Sequence, residues 1–266
     1  MTHPLLGAAG IAALAAAVMA CSGASASTLS PTAPTATATP ATTTTTTTPT
    51  PTTPAPSAAG VQAIYAQFVN SVMVTIDGDT VTLRTNDLPD HKSPYWGTNS
   101  ASYEAPHAGM QVNPHLIASQ DLTFRVPSSP AAASSPSDTP MGPIGISVNG
   151  VVLFNQYAAM RQPLTSEIVS FDRYNGHPSP SNQYHYHFEP VSITASSRSR
   201  LIGVLLDGFP VYGPIDSDGR TPSDLDACNG HTAATPEFAG GIYHYHTTTA
   251  VPYISGCFRG TAGTVR

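Results

Sequence analysis

The chain has 266 residues, of which only 10% are charged, and a formal net charge of −6. Nucleic-acid-binding domains usually carry a basic surface, so this balance gives no reason to expect a nucleic-acid partner. The length allows a folded part of about 200 residues, enough for one domain with a sizeable core.

The first 20 residues are predicted to be an export signal. The apolar run from Leu5 to Ala20 is too short for a membrane-spanning helix and has the composition of a signal's apolar region, although residues 1–4 carry no Lys or Arg. The run ends in Val18-Met19-Ala20-Cys21, which resembles a bacterial lipobox. We therefore expect Cys21 to be lipidated and to anchor the protein to the extracytoplasmic side of a membrane. The alternative is an ordinary cleaved signal and a secreted protein.

Residues 21–60 are predicted to be a disordered linker. They consist almost entirely of Ser, Thr, Ala and Pro, so they have no apolar face with which to form a core. Such a segment is typical of a tether between a membrane anchor and a folded domain. We place the folded domain at residues 61–266.

The start of the domain combines one helical and several strand-like segments. Val61–Phe68 fits a short helix, and two alternating runs on either side of Asp77-Gly78 predict a β-hairpin. Asp121–Val126 is a further strand candidate, and residues 127–140 read as a loop. Because no long window beyond the first helix has a 3.6-residue period, we predict a mainly β fold with long loops.

Three sequence blocks occur twice in the same order. Ile144–Phe154 and Leu201–Tyr212 both read as strand, Gly-containing turn and strand. The pattern apolar-D-x-x-N-G-H then ends at His177 and again at His231, and each copy is followed by Y-H-Y-H. This order predicts two pseudo-symmetric units, about residues 141–190 and 199–250, that share one core with the N-terminal hairpin.

The Y-H-Y-H segments predict a paired histidine site. Because side chains alternate along a strand, the two histidines of each segment share one face and lie about 6.6 Å apart at Cα. Two imidazoles at that spacing can reach one metal ion. We expect the two units to bring six histidines to one shared site, and to bind one ion of Cu or Zn. The expected ligands are His177, His185, His187, His231, His244 and His246.

The residues around these histidines have expected supporting roles. Asn-Gly suits tight turns with positive φ, and the turns at Asn175 and Asn229 would hold the following histidines in place. A ligating histidine usually donates its second ring N–H to a carboxylate or carbonyl. The carboxylates expected in that role are Asp172, Asp226, Asp207 and Glu189. His91, His107 and His115 are expected to be loop residues, with His91 the first candidate for an additional ligand.

The three cysteines can be assigned in two ways. If Cys21 is lipidated, Cys228 and Cys257 remain as a pair, which suits an oxidising compartment. The alternative makes Cys228 a metal ligand beside His231.

The motifs together resemble the YHYH-domain family of bacterial exported proteins. The resemblance covers about residues 85–260 and rests on both Y-H-Y-H segments, D-G-F-P-V-Y-G-P from Asp207, C-N-G-H from Cys228 and P-Y-I-S-G-C-F-R-G from Pro252. It implies an exported domain and no particular reaction. Tyr174 stands where the second unit has Cys228, so a bridge at that position is possible only in the second unit.

Three functions remain open on this basis. The first is a cell-surface or extracellular module that binds a transition-metal ion. The second is a metal-dependent extracytoplasmic hydrolase or oxidase, which needs an open coordination position and a concave pocket. The third is a structural or adhesion domain in which the histidines form hydrogen bonds without a metal.

Overall fold

A computed structural model describes residues 55–69 and 71–266. The chain divides into two units, residues 1–48 and residues 49–266, and the described residues belong to the second. The predicted signal, Cys21 and most of the predicted linker lie outside the described residues. None of the helices within those residues has the length and apolar composition of a membrane span.

The described residues form a mainly β structure, as predicted. Its helices are α1 (Ala58–Tyr65) and α2 (Val191–Thr194), with 3₁₀ turns at Pro94–Trp96, Ala159–Arg161, Leu164–Ser166 and Ile168–Ser170. Its strands are β1 (Met73–Asp77), β2 (Thr80–Thr85), β3 (Leu122–Pro127), β4 (Ala132–Asp138), β5 (Pro143–Ser147), β6 (Val152–Phe154), β7 (Tyr157–Ala158), β8 (Gln162–Pro163), β9 (Gly176–Pro178), β10 (Tyr184–Tyr186), β11 (Leu201–Leu205), β12 (Pro210–Tyr212), β13 (Gly230–Ala233), β14 (Ile242–His246), β15 (Cys257–Gly260) and β16 (Thr264–Val265).

The N-terminal elements follow the sequence pattern closely. Helix α1 begins three residues before the predicted start because the Ser57 side chain caps it, accepting a hydrogen bond from the Gly60 N–H. The predicted hairpin is confirmed as β1 and β2, joined at Gly78 with φ of 53°. Together with β3 and β16 it forms a four-stranded antiparallel sheet. Alternation in β2 buries Val81 and Leu83 in the core.

An eight-stranded sheet carries both Y-H-Y-H segments. Its strand order is β13-β14-β12-β11-β5-β6-β10-β9, so the two halves have corresponding strands on either side of the central β11–β5 pair. In each half the Y-H-Y-H strand pairs in parallel with one neighbour and antiparallel with the other, with Tyr186 opposite Leu153 and Tyr245 opposite Val211. Descent of the halves from one repeated unit stays a prediction, but their strand pairings correspond.

The central β11–β5 pair explains the Ile-Gly dipeptide in both halves. Ile146 and Val204 face each other in register, and both are buried. A Cβ added at Gly203 would lie 2.1 Å from the Ile146 carbonyl oxygen, and one at Gly145 would lie 2.5 Å from the Val204 carbonyl oxygen. Only glycine therefore allows the two backbones to approach this closely.

The prediction of a loop over residues 127–140 was wrong. Strand β4 occupies Ala132–Asp138 and pairs antiparallel with β15. The strand is mostly exposed and rich in Ser, Ala and Pro, so it lacks the apolar alternation by which strands are recognised. Its partner strand, rather than its own sequence, holds it in an extended conformation.

A disulfide joins Cys228 to Cys257 with a Cα–Cα distance of 5.0 Å. The sequence left open whether Cys228 forms a disulfide or binds a metal. Because Cys228 is bridged, it is not a metal ligand. It links the Asn229-Gly230 turn to β15, beyond the second Y-H-Y-H strand.

Replacing both cysteines by serine should lower the free energy of unfolding by about 3–4 kcal/mol, because the bridge closes a loop across 29 residues in the unfolded chain. Urea unfolding of the double variant, compared with the parent, measures the change. A loss below about 1 kcal/mol would show that the bridge contributes little to stability.

Candidate metal centres

The two Y-H-Y-H strands place imidazoles on one face and phenols on the other, as strand alternation requires. All six histidines of the duplicated blocks are buried. Each strand brings two of them, and the third comes from the neighbouring edge strand, where His177 lies opposite His185 and His231 opposite His244. The alternation and the convergence of each trio were predictable; the separation of the trios was not.

The six histidines form two sites rather than one. His177, His185 and His187 make the first group, which we call the open site; His231, His244 and His246 with Asp216 make the second, which we call the closed site. Strands β10 and β14 are five strand spacings apart in the sheet, which corresponds to about 24 Å. The expectation of one shared site was therefore wrong. Each half folds the complete histidine trio at its own edge of the sheet, and the central strands keep the trios apart.

The D-x-x-N-G-H blocks form identical turns that deliver His177 and His231. Asn175 and Asn229 have φ of 67° and 71°, as the Asn-Gly pattern predicted. The next residue must be glycine because a tyrosine ring covers it: a Cβ at Gly176 would lie 2.4 Å from the Tyr184 ring. The same holds for Gly230, where the distance to the Tyr243 phenol oxygen would be 2.3 Å.

The aspartates expected to support the histidines instead hold the tyrosines. Tyr184 donates to Asp172 at 2.7 Å, Tyr243 donates to Asp226 at 3.0 Å, and Tyr245 donates to Asp207 at 2.6 Å. The fourth expected carboxylate, Glu189, accepts from Arg198 on the surface at 2.6 Å. The expectation was wrong because these aspartates lie on the tyrosine face of the strands.

The ring partners of the open site fix the direction of its imidazoles. His185 Nδ1 donates to the Gln183 carbonyl at 3.1 Å, and His187 Nδ1 donates to the Asn155 carbonyl at 2.5 Å. Ser170 Oγ donates to the Glu167 carbonyl at 2.7 Å, so it accepts from His177 Nδ1, also at 2.7 Å. Each Nδ1 therefore carries the proton, and each Nε2 carries a free lone pair.

The closed site repeats this arrangement. His244 Nδ1 donates to the Ile242 carbonyl at 3.0 Å, and His246 Nδ1 donates to the Gly213 carbonyl at 2.6 Å. His231 Nδ1 donates to Asp224 at 2.8 Å. All three Nε2 atoms again point inward, toward Asp216.

The inward nitrogens lie at the spacing of ligands around an ion. The two Nε2 atoms of His185 and His187 are 3.1 Å apart, and those of His231 and His244 are 3.2 Å apart. A tetrahedral ion with bonds of 2.0–2.1 Å has ligands about 3.3–3.4 Å apart. Two lone pairs at this distance with no proton between them repel each other, and a bound cation removes that repulsion.

The closed site has a fourth ligand in place. Asp216 Oδ1 lies 3.2 Å from the Nε2 atoms of His231 and His246 and 3.6 Å from that of His244. The distance from Asp216 to each imidazole and the distance between His231 and His244 are 3.2–3.6 Å, close to the spacing of tetrahedral ligands, and all four donor atoms lie within 4.8 Å of one another. The cavity beside them holds only about 10 Å³, which is less than a substrate needs.

The open site lacks such a fourth contact and faces a cavity of about 540 Å³. Its nearest carboxylate oxygen, Glu167 Oε2, lies 3.6 Å from His177 Nε2 and 3.9 Å from His187 Nε2. Among the described residues, His177 Nε2 is buried without a hydrogen-bond partner. The site therefore presents three nitrogens and one open direction.

The match to a family model supplies the remaining identification. The model described as YHYH protein matches residues 123–222 and 216–260, which together cover more than half of the chain and all six histidines. The chain belongs to the YHYH family. Searches of curated proteins and of solved structures found no match.

Two carboxylates of this YHYH protein were missed by the sequence analysis. Glu167 lies between the 3₁₀ turns Leu164–Ser166 and Ile168–Ser170, and Asp216 lies in the segment between β12 and β13. They share no motif with each other, and the segments that carry them differ in length, so no repeated pattern marked them. Asp224, which accepts from His231, was missed for the same reason.

The three other histidines that the structure describes are not members of either group. His91 Nε2 bonds to the Tyr186 hydroxyl at 2.8 Å on the tyrosine face. His107 contacts the Phe171 carbonyl at 3.0 Å. His115 lines the large cavity without joining the trio.

Burial disfavours the charged form of five of the imidazoles and lowers their pKa: those of His177, His185, His187, His244 and His246. Burial is the main cause of the low pKa of His177, about 3, and of the low pKa of His187, about 4. The pKa of His185 is held well below its ordinary value by burial and then by the two neighbouring imidazoles. In the closed site burial lowers the pKa of His244 to about 4. Neutral imidazole is the form that binds a metal.

If zinc binds at the open site, its affinity should therefore persist in mild acid. Between pH 7 and 5.5, three imidazoles with the ordinary pKa near 6.5 would lose several hundred-fold in affinity through protonation, whereas this site should lose less than about tenfold. Competition against a chelator of known affinity at both pH values measures the change, with circular dichroism as the control for folding. A several-hundred-fold loss from a folded protein would contradict the prediction.

The tyrosine face should contribute to stability independently of any ion. Asp207 is fully buried, and burial raises its pKa to about 6. Replacing Tyr245 by phenylalanine removes one of its donors and should cost about 1–3 kcal/mol of unfolding free energy. Tyr103→Phe, in a partly buried loop, serves as the matched control and should change little. Equal effects of the two variants would contradict this role.

Proposed function

We propose that this protein binds two transition-metal ions, one in each histidine trio. The observation that carries the proposal is the orientation of the rings. In each site every Nδ1 is held by an acceptor of the protein, and the Nε2 lone pairs converge at ligand spacing. Metal binding is the simplest role for a buried cluster of unprotonated imidazole nitrogens.

The ligand set favours zinc or copper. Imidazole binds Zn, Cu, Ni and Fe, and an added carboxylate is common in zinc sites. The spacings of the closed site match a tetrahedron, the usual geometry of zinc with four protein ligands. Zinc therefore fits the closed site best.

The two ions would have different roles. A site with four protein ligands and almost no free volume is typical of a structural metal, which stabilises the fold. A site with three ligands and a cavity in front of it can bind an additional molecule. We propose that the ion in the closed site stabilises the fold. The ion in the open site would bind and release molecules from the surroundings.

A metal-free histidine network is less well supported. In the open site such a network needs donors between its rings, yet the hydrogen-bond partners place the ring protons on the outer nitrogens. The 3.1 Å contact between His185 Nε2 and His187 Nε2 would then be repulsive. In the closed site His231 lies between Asp224 and Asp216, so a doubly protonated His231 is the metal-free alternative there. A metal ion accounts for both trios with one explanation.

We also propose that the domain acts outside the cytoplasm. The disulfide between Cys228 and Cys257 supports an oxidising compartment. The predicted signal, lipidated Cys21 and linker would tether the domain to a membrane surface. The metal ion and the lipid anchor are then the proposed partners.

Mass spectrometry of the elements in protein purified without a histidine tag should find about two ions per chain. Replacing His185 and His187 by alanine should remove one ion, and replacing His244 and His246 should remove the other. The second pair should also lower the melting temperature more, because the closed ion contributes to folding.

His107→Ala is the matched control, since it removes an imidazole outside both trios, and it should retain two ions. Parent protein without bound metal, or folded double variants with an unchanged metal content, would contradict the proposal.

A further inference from the structure

The open and closed sites differ in one respect that has a chemical consequence. In the closed site Asp216 stands within 3.6 Å of all three Nε2 atoms. In the open site Glu167 stands at 3.6 and 3.9 Å from two of them and is not part of the convergent group. An ion held there by three imidazoles keeps a position for water, with a carboxylate beside it. Three protein ligands and one water are typical of catalytic zinc.

The cavity in front of this position has the size and character of a small-molecule site. Its volume of about 540 Å³ lies within the range that holds such ligands. Apolar and aromatic side chains make up much of its wall, including Val112, Met141, Phe154, Tyr157 and Val169. Phe154 stacks on His185 with ring centroids 4.0 Å apart, so the apolar wall continues up to the metal ligands.

The charges of the cavity limit the class of substrate. Among the described residues that line it, none is Lys or Arg, and the only acidic or histidine side chains outside the trio are Glu167 and His115. Apart from the proposed ion itself, an anionic substrate such as a phosphodiester would meet a carboxylate and no arginine or lysine. An uncharged molecule with an apolar body fits both the wall and the charge.

We propose that the open site hydrolyses an uncharged carboxylic ester with a compact apolar body, an inference that rests on the proposed binding of a metal there. Water at the fourth position attacks the carbonyl carbon and forms a carbon–oxygen bond. The bond between the carbonyl carbon and the alkoxy oxygen then breaks. One proton of the water passes by way of the Glu167 carboxylate to the leaving oxygen. The products are a carboxylic acid and an alcohol, and no reactant other than water is needed.

The position of Glu167 suits a group that carries a proton rather than one that binds the ion. Its side chain is 30% exposed and borders the cavity, and its Oε1 accepts only a long contact of 3.5 Å from the Ala159 N–H. Its Oε2 stands next to two ligand nitrogens, where it can contact a water on the same ion. Proton transfer by a placed side chain typically contributes about 10²–10⁴-fold to a rate.

The test uses the full chain loaded with zinc and follows release of 4-nitrophenol from 4-nitrophenyl butyrate. Zinc-loaded protein should hydrolyse this ester at least about 100-fold faster than the same protein after chelation. Bis(4-nitrophenyl) phosphate, the anionic comparison, should react far more slowly. Glu167→Gln should keep two ions and lose about 100-fold in rate.

Glu104→Gln is the matched control, because Glu104 pairs with Arg173 at 3.0 Å and does not line the cavity. It should leave metal content and rate unchanged. The metal content is measured on every sample, so that a lower rate caused by loss of an ion is distinguished from a lower rate at full metal content.

Four outcomes would overturn the inference. Two bound ions without zinc-dependent ester hydrolysis would reject the reaction and leave the proposed metal binding intact. Loss of one ion in Glu167→Gln would show that Glu167 is a fourth protein ligand and that the ion has no free position for water. A faster reaction with the phosphodiester would reject the substrate class. Absence of bound metal in the parent would reject the proposed function itself, and the reaction with it.

Discussion

The structure depends on six buried imidazole rings whose outer nitrogens are already bound by the protein. Each Nδ1 donates to a neighbouring acceptor, which leaves the Nε2 lone pairs facing one another across about 3 Å in each trio. Burial adds to this constraint by lowering the pKa of the three open-site rings and of His244 and His246 in the closed site. In the open site the described residues supply no donor between the converging lone pairs, and in the closed site the Asp216 carboxylate faces them, so the fold creates two places where a cation is favoured.

The repeated motifs follow from this arrangement. Strand alternation places the histidines on one face of the Y-H-Y-H segments and the tyrosines on the opposite face, where the phenols donate to buried carboxylates. The Asn-Gly turn is needed because Asn175 adopts a positive φ and Gly176 lies beneath a tyrosine ring. One short motif therefore carries a turn, a packing contact and a ligand, and the chain contains it twice.

Local sequence predicted the parts of the site that depend on local periodicity. The hairpin, the histidine face of each strand and the two Asn-Gly turns follow from residue type and spacing. The number of sites did not, because it depends on the order of strands in the sheet, which places β10 and β14 on opposite sides of the central pair. Glu167 and Asp216 were also out of reach, since irregular segments bring them to the histidines and only the fold determines where such segments pass. Exposed strand β4 was hidden for a related reason, because a partner strand holds it extended.

The most direct test is a crystal structure with anomalous scattering measured at the absorption edge of the bound metal. The account predicts two separate peaks, one within bonding distance of three Nε2 atoms and the Asp216 carboxylate, the other bonded to three Nε2 atoms and a water. A map of native protein with no peak at either trio, or with a single ion bridging histidines from both, would contradict it.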